Sequence, residues 1–162
     1  MTGTPRGVSP EMHLEVTMLF EEYGRLLDAD SLEEWTTLFV PDCRYEIMSR
    51  ENIEQNLPLS LMLCDSRDML DDRVYSLREA NVFNIHYDCH LIGPVRVTPQ
   101  GDGWAATAAY SLFQSIQAGE TRLFSVGRYH AELRRVDNVL RIVRMRVVVD
   151  TGAILTLLAT PI

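Results

Sequence analysis

Two histidines and an aspartate alternate along His86-Tyr87-Asp88-Cys89-His90, the residue types of a two-histidine, one-carboxylate iron site. On an extended strand these side chains share a face at steps of about 6.6–7 Å, so the imidazoles stand roughly 13 Å apart. One metal needs each nitrogen within about 2.1 Å. His86 and Asp88 could converge only with a remote third ligand, for which His130 is the candidate. The plainer expectation is partly buried histidines bonded to their neighbours. A second constellation, Asp28, Tyr45 and His90, holds a base, a carboxylate and a phenol, groups that suit proton abstraction beside a hydrogen-bonded oxyanion. A third, DSRDMLDDRVYSLREAN at 65–81, packs five carboxylates and three arginines into seventeen residues. Ligands for a hard cation usually arrive on a loop with glycine at a turn, and this stretch has neither the glycine nor the spacing. It is therefore a solvated helix or a surface that another chain recognises. No GxGxxG, Walker loop, GxSxG, HExxH or iron–sulfur spacing occurs, so no cofactor or metal site is expected in this chain.

A chain of 162 residues, 46% hydrophobic and 23% charged, fits one soluble domain with a single core. Fifteen basic against twenty-three acidic groups leave a net charge of −8, a field that repels nucleic acid and anionic membranes. Cys43, Cys64 and Cys89 form no CxxC pair and are expected as buried thiols in a reducing compartment. The start MTGTPRGVSP lacks the apolar core of an export signal, and no run approaches the roughly 18 apolar residues of a membrane span. The expected location is the cytoplasm.

The elements that must position these residues follow from periodicity. Residues 1–10, with two prolines and two glycines, form a flexible arm ahead of a single domain over 11–162. Val16, Leu19, Phe20, Tyr23, Leu26 and Leu27 make the buried stripe of a helix from about 11 to 28. Ser31 and Glu34 fit a capping box for a short helix that buries Leu32, Trp35 and Phe39 and ends at Pro41-Asp42. In CRYEIMS, Cys43, Tyr45 and Ile47 alternate with Arg44 and Glu46, as in a half-buried strand. Within 65–81 a helix turns Met69, Val74, Leu77 and, more weakly, Leu70 to one side. Runs at 90–98, 104–117, 121–135 and 139–149, separated by turn-forming residues, make an antiparallel meander that must coil strongly because its strands are long. Helices followed by a curved meander predict an α+β cone with an open mouth. Along 139–149 both parities are apolar, so the outer face of that strand meets either another subunit or a covering helix.

LLDADSLEEWTTLFVPDCRYEI, DSRDMLDDRVYSLREANVFNIHYDCHLIG, LFSVGRYHAELRR and LRIVRMRVVVDTGAILTLLATPI resemble the small (beta) subunits of aromatic-ring-hydroxylating dioxygenases, Rieske non-haem iron enzymes, and are most similar to the terephthalate, salicylate and benzoate types. The most specific parts are DMLDDRVYSLREAN, the spacing of Phe124, Gly127 and Tyr129, and Arg144, Arg146 and Asp150 ahead of LLATPI. The resemblance implies the cone fold shared with nuclear transport factor 2 and ketosteroid isomerase, N-terminal helices packed in a strongly curved antiparallel sheet. It implies a non-catalytic structural beta subunit in a complex, three of each, with a catalytic alpha subunit. That partner would hold the [2Fe–2S] Rieske cluster, the mononuclear Fe(II) and the pocket for an aromatic acid such as terephthalate, hydroxylated with O2 and electrons from NADH through a reductase. Carried onto this chain, it marks Arg67, Asp72, Arg73, Arg78, Asn81, Arg144 and Arg146 as subunit-interface positions, and it sends LTLLATPI along a strand or against the partner. The competing expectation is a stand-alone cone-fold lyase or isomerase that uses His90, Asp28 and Tyr45.

Overall fold

Ser9 starts α1 (Pro10–Asp28): its hydroxyl accepts from the Met12 amide at 3.2 Å, and Pro10 follows at the first helical position. A computed structural model describes residues 7–79, 85–152, 158 and 160–162. The buried face of α1 is Val16, Phe20, Tyr23, Gly24, Leu26 and Leu27, close to the expected stripe. The helix stops in a Schellman turn, in which the Ser31 and Asp30 amides donate to Leu26 and Leu27 and Asp30 takes φ 55°. That turn displaces the expected capping box. With Ser31 held by its main chain, its side chain makes no capping bond to α2 (Leu32–Trp35).

A 3₁₀ turn, Thr36–Leu38, leads into β1 (Phe39–Ser49), so Pro41 and Asp42 lie inside the strand instead of ending a helix. They occupy the place where the β1 register slips, between Phe39 and Arg44, and a proline without an amide is tolerated at such an irregularity. After β1 come α3 (Arg50–Glu54), β2 (Met62–Cys64) and α4 (Arg67–Glu79). In α4 Leu70, Val74 and Leu77 are buried while Met69 is exposed, which reverses the expected order of Met69 and Leu70.

The remaining strands are β3 (His86–Ile92), β4 (Arg96–Gln100), β5 (Gly103–Ile116), β6 (Thr121–Val136) and β7 (Val139–Val149). The expected run 90–98 is thus two strands, both paired to β5. The order is β2-β1-β7-β6-β5-β3, and β1 runs parallel to β7, so the sheet is mixed and not antiparallel throughout. The β6–β7 turn at Asp137 and Asn138, with φ 49° and 63°, is the two-residue hairpin with both centres left-handed.

A bulge explains why β7 is apolar on both parities. Leu133 pairs with Ile142 but Glu132 pairs with Arg144, so Val143 is one residue too many. Before it Leu140 and Ile142 face inward, and after it Met145, Val147 and Val149 do. One apolar face is thus written across two parities. The outward residues beyond the bulge are Arg144, Arg146 and Val148, a mainly cationic row where a greasy one was expected.

Inside the cone an aromatic cluster forms where α1 crosses the sheet. Tyr129 stacks on Tyr110 with centroids 4.6 Å apart, and Tyr23 meets both Tyr129 and Trp35 edge-on. No helix among the described residues is long and apolar enough to cross a membrane. Gly127 belongs to the same cluster, because a Cβ there would overlap the Val148 carbonyl oxygen and lie 3.0 Å from the Tyr110 ring. Gly127→Ala is expected to cost about 1–3 kcal/mol by overpacking, measured as a lower urea midpoint; an unchanged midpoint would show that the close approach is not limiting.

Candidate functional site

The inward face of β3 brings His90 to the last turn of α1. Its Nδ1 donates to Asp28 Oδ1 at 2.6 Å, and its main-chain amide reaches both oxygens of that carboxylate at 3.1 and 3.0 Å. Gly24 lies at this crossing, where a Cβ would come within 3.0 Å of the Ile92 side-chain tip and 3.5 Å of the His90 Cβ. The His90 side chain is fully buried, and its Nε2 has no partner among the described residues. Two of the three expected pocket residues therefore meet, in the orientation of a carboxylate-held imidazole.

Tyr45 does not complete the trio. Its hydroxyl donates to the Ile162 main-chain oxygen at 2.9 Å and accepts from the Ile162 amide at 3.0 Å, while Tyr23 donates to the same oxygen at 2.6 Å. Ile162 is wholly buried among the core residues. The last residues are fastened on the way in: Thr160 donates to Asp88 at 3.2 Å and Arg73 reaches the Leu158 oxygen at 3.5 Å. Of the segment LTLLATPI expected along a strand or on a partner, residues 155–157 and 159 lie outside the described residues; Ile162 enters the cone. Burial pushes the Tyr23 and Tyr45 phenols far above their ordinary range, so neither supplies a phenolate near neutrality.

The alternating His86, Asp88 and His90 do share the inward face of β3. His130 is on the opposite face of β6, beside Arg128 and Arg146, so it cannot close a ligand set with them. Among the described residues no group of three His, Cys, Asp or Glu side chains converges as a metal site. Cys43 and Cys64 are buried, and desolvation pushes the Cys43 thiol up to about 11, whereas Cys89 is exposed, contrary to expectation, because it points outward between His90 and Asp88.

The outward face holds what the alternation of CRYEIMS concealed. Glu46 belongs to the outer parity of β1, yet it is only 2% exposed. Arg146 Nε donates to it at 2.7 Å, an Arg144 NH2 group at 3.0 Å and an Arg44 NH2 group at 3.2 Å. The parallel β1–β7 register sets Arg44 beside Arg144 and Glu46 beside Arg146, and three long side chains close over one carboxylate. Burial alone would raise the Glu46 pKa, but the bonds from Arg146 and Arg144 and the charges of Arg146 and Arg44 outweigh it and hold the carboxyl below its usual range. Above this cluster runs a groove of about 480 Å³, lined among others by Arg50, Arg128, His130, Glu132, Arg144 and Arg146. Burial first, then Arg146 and Arg128, depress the His130 pKa and keep its imidazole neutral near pH 7.

The other interface candidates are on α4, with different surroundings. Arg78 donates to Glu33 at 2.9 Å and to the Asp30 carboxylate and carbonyl at 2.6 and 2.7 Å, so it pins α4 to the α1–α2 turn. Arg67 and Arg73 are half-buried, Asp72 is exposed, and Asn81 lies outside the described residues. Sequence reasoning missed Glu46, Arg128, Tyr23 and Ile162. The one signal it had for Glu46 was the pair of arginines two residues apart at 144 and 146.

Comparison with known proteins gives these features a context. A family model for the SnoaL-like domain matches residues 10–146. The chain is 38% identical over 149 residues to the anthranilate 1,2-dioxygenase small subunit of Burkholderia cepacia, spanning 91% of this chain and 92% of that protein. It is 30% identical over 151 residues to subunit beta 2 of the terminal oxygenase component of terephthalate 1,2-dioxygenase from Comamonas sp, spanning 92% and 97%. Among solved structures, a beta subunit assigned to an aromatic-ring-hydroxylating dioxygenase in Novosphingobium aromaticivorans DSM 12444 superposes with a TM-score of 0.84 at 42% identity, over 93% of this chain and 96% of that one.

The depressed Glu46 pKa fixes the sign of a pH effect. Its stabilisation is present above the carboxyl's unfolded value and is lost as pH falls through the lower folded value. Glu46→Gln should cost about 1–3 kcal/mol at pH 7, toward the low end because the arginines are a third or more exposed and screened by water. The gap to the wild type should narrow in urea titrations as pH falls below the ordinary carboxylate range; a gap independent of pH would remove Glu46 as its source.

Proposed function

The chain belongs to the small (beta) subunits of aromatic-ring-hydroxylating dioxygenases, built on a SnoaL-like domain, and from that membership we propose that it serves as a non-catalytic, structural subunit. The observation that carries the reading is the Ile162 main chain bonded to the Tyr23 and Tyr45 hydroxyls, which gives the interior of the cone to the protein itself. In this role it joins a larger alpha subunit, three of each, in the cytoplasm. The alpha subunit holds the Rieske cluster, the mononuclear iron and the pocket for an aromatic carboxylic acid, terephthalate being one fitting example, and receives electrons from NADH through a reductase. A Rieske cluster needs two cysteines and two histidines on adjacent loops, and the described cysteines and histidines here are scattered over β1, β2, β3, β6 and α1.

The outer face of the sheet and α4 are the surfaces this role would use. Arg144 and Arg146 belong to the first, and Arg67, Asp72 and Arg73 to the second, while Arg78 supports α4 from within. A second reading, a stand-alone lyase or isomerase, is favoured by the Asp28–His90 pair with its buried, partnerless Nε2. It would use the cavity of about 480 Å³ that Asp28 lines with His86 and Asp88, without Tyr45, which is bonded to Ile162.

Co-expression with the large subunit, followed by native mass measurement, tests the role. The expected result is a complex containing both chains with visible absorption, and a colourless small chain without turnover when purified alone. An isolated small chain that turns over an aromatic substrate, or one that never joins the large subunit, would contradict it.

A further inference from the structure

We infer that the groove on the outer face of the sheet is a binding site for a small organic anion, a carboxylate on a flat apolar body, and that Arg128 is the group that grips the carboxylate. The inference rests on the structural role above only for the identity of the acid, which belongs to the class handled by the large subunit.

The strand registers lay out the groove. His130 on β6 stands opposite Thr107 on β5 and Arg146 on β7. One step along the same outward face, Arg128 stands between Ala109 and Val148; one step the other way, Glu132 stands between Ala105 and Arg144. The outward positions of β5 are therefore three small side chains beside a row of long ones. That difference in height leaves a depression of about 480 Å³, within the range of about 300–1,000 Å³ common to small-molecule sites. Ala105, Val148 and Ile53 give it apolar surface, which suits a hydrocarbon body better than a fully hydrated inorganic ion.

Charge selects the sign of the ligand. Four arginines line the groove against Glu54, Glu132 and Asp150, a local charge of +1, while the rest of the chain carries −9. Most of these arginines already have partners. Arg50 pairs with Asp150 at 2.7 Å, and Arg144 and Arg146 close on Glu46 at 3.0 and 2.7 Å. Arg128 is exposed, and no carboxylate among the described residues pairs with it. After burial, the charges of Arg146 and Arg128 are what disfavour a proton on His130, so these three side chains form one electropositive corner. A guanidinium takes a carboxylate through two parallel N–H···O bonds, and a second guanidinium beside it stacks on an aromatic face. Arg128 and Arg146 stand ready for those two tasks, on either side of His130.

Isothermal titration of the full chain with benzoate, benzamide and inorganic phosphate tests the site, alongside Arg128→Gln and Thr107→Leu. Benzoate should bind at one site per chain, and neutral benzamide and phosphate should bind about tenfold more weakly or less. Arg128→Gln should weaken benzoate about tenfold or more, the loss expected when a charged hydrogen-bonding partner is removed. Thr107→Leu should weaken it similarly by filling the floor without changing any charge. Benzoate that fails to bind, or binds equally well to Arg128→Gln, would overturn the inference. Phosphate that binds as tightly as benzoate would reduce the groove to an unselective anion patch and overturn it equally. In the complex with the large subunit, the wild type should hold one more benzoate per small chain than the Arg128→Gln complex; equal counts would show that assembly covers the groove and would also overturn it. Binding at Arg128 in a chain that never joins the large subunit would sustain the site while the structural role falls. A complex that forms around a chain with no benzoate site would do the reverse.

Discussion

Two buried phenols and one stretch of main chain decide what the inside of this cone can do. A buried hydroxyl without a partner is costly, and so is a buried peptide group. Tyr23, Tyr45 and Ile162 satisfy one another with three bonds of 2.6 to 3.0 Å. To admit a substrate at that place the protein would have to break those bonds and expose Ile162, with Leu158 and Thr160 held at their own anchors. The Asp28–His90 pair sits beside this plug with the geometry of a base and its orienting acid. Geometry alone does not make it a site: Asp28 lines a cavity of about 480 Å³ with His86, Asp88 and Thr160, whereas the His90 side chain is fully buried and Tyr45 is bonded to Ile162.

The outside of the sheet carries a second group of buried polar contacts. Bulges in β1 and β7 and the parallel register between them line up Arg44, Arg144 and Arg146 over Glu46. A carboxylate 2% exposed on the outer face of a sheet is a structural commitment, since replacing any one partner leaves charge in a poorly solvated place. The same arrangement holds the arginines upright and spaces them regularly. An outer face with a groove along β6 and β7, ordered by buried ion pairs and flanked by exposed leucines, has the composition of a recognition surface.

Much of this was legible from residue order and some was not, for identifiable reasons. The α1 stripe was readable because a 3.6-residue period survives any tertiary context, and the Asp137-Asn138 turn because few residues accept two left-handed centres in a row. The parallel pairing of β1 with β7 joins residues about a hundred positions apart, and no local pattern encodes it. The Val143 bulge misled the parity count, turning a single buried face into two apparent ones. Ser31 had the right neighbours for a capping box, but the Schellman turn before it fixed its backbone otherwise. Burial of Glu46 was invisible because an alternating polar residue normally marks the wet side of a strand, and only the register brings the two arginines that cover it. The resemblance to a subunit family supplied what periodicity could not, a reason for the lack of a recognisable cofactor motif.

The central claim is that the polar groups within the cone support the fold and take no part in bond making. The most direct measurement is product formed in a single turnover by the assembled enzyme, with Asp28, His90 and Tyr45 replaced by Asn, Gln and Phe and the mass of the complex checked in parallel. If the claim holds, the rate constant stays within about twofold of the wild type. A fall of about a hundredfold or more, the loss expected when a general base is removed, in a complex of unchanged mass, would contradict it.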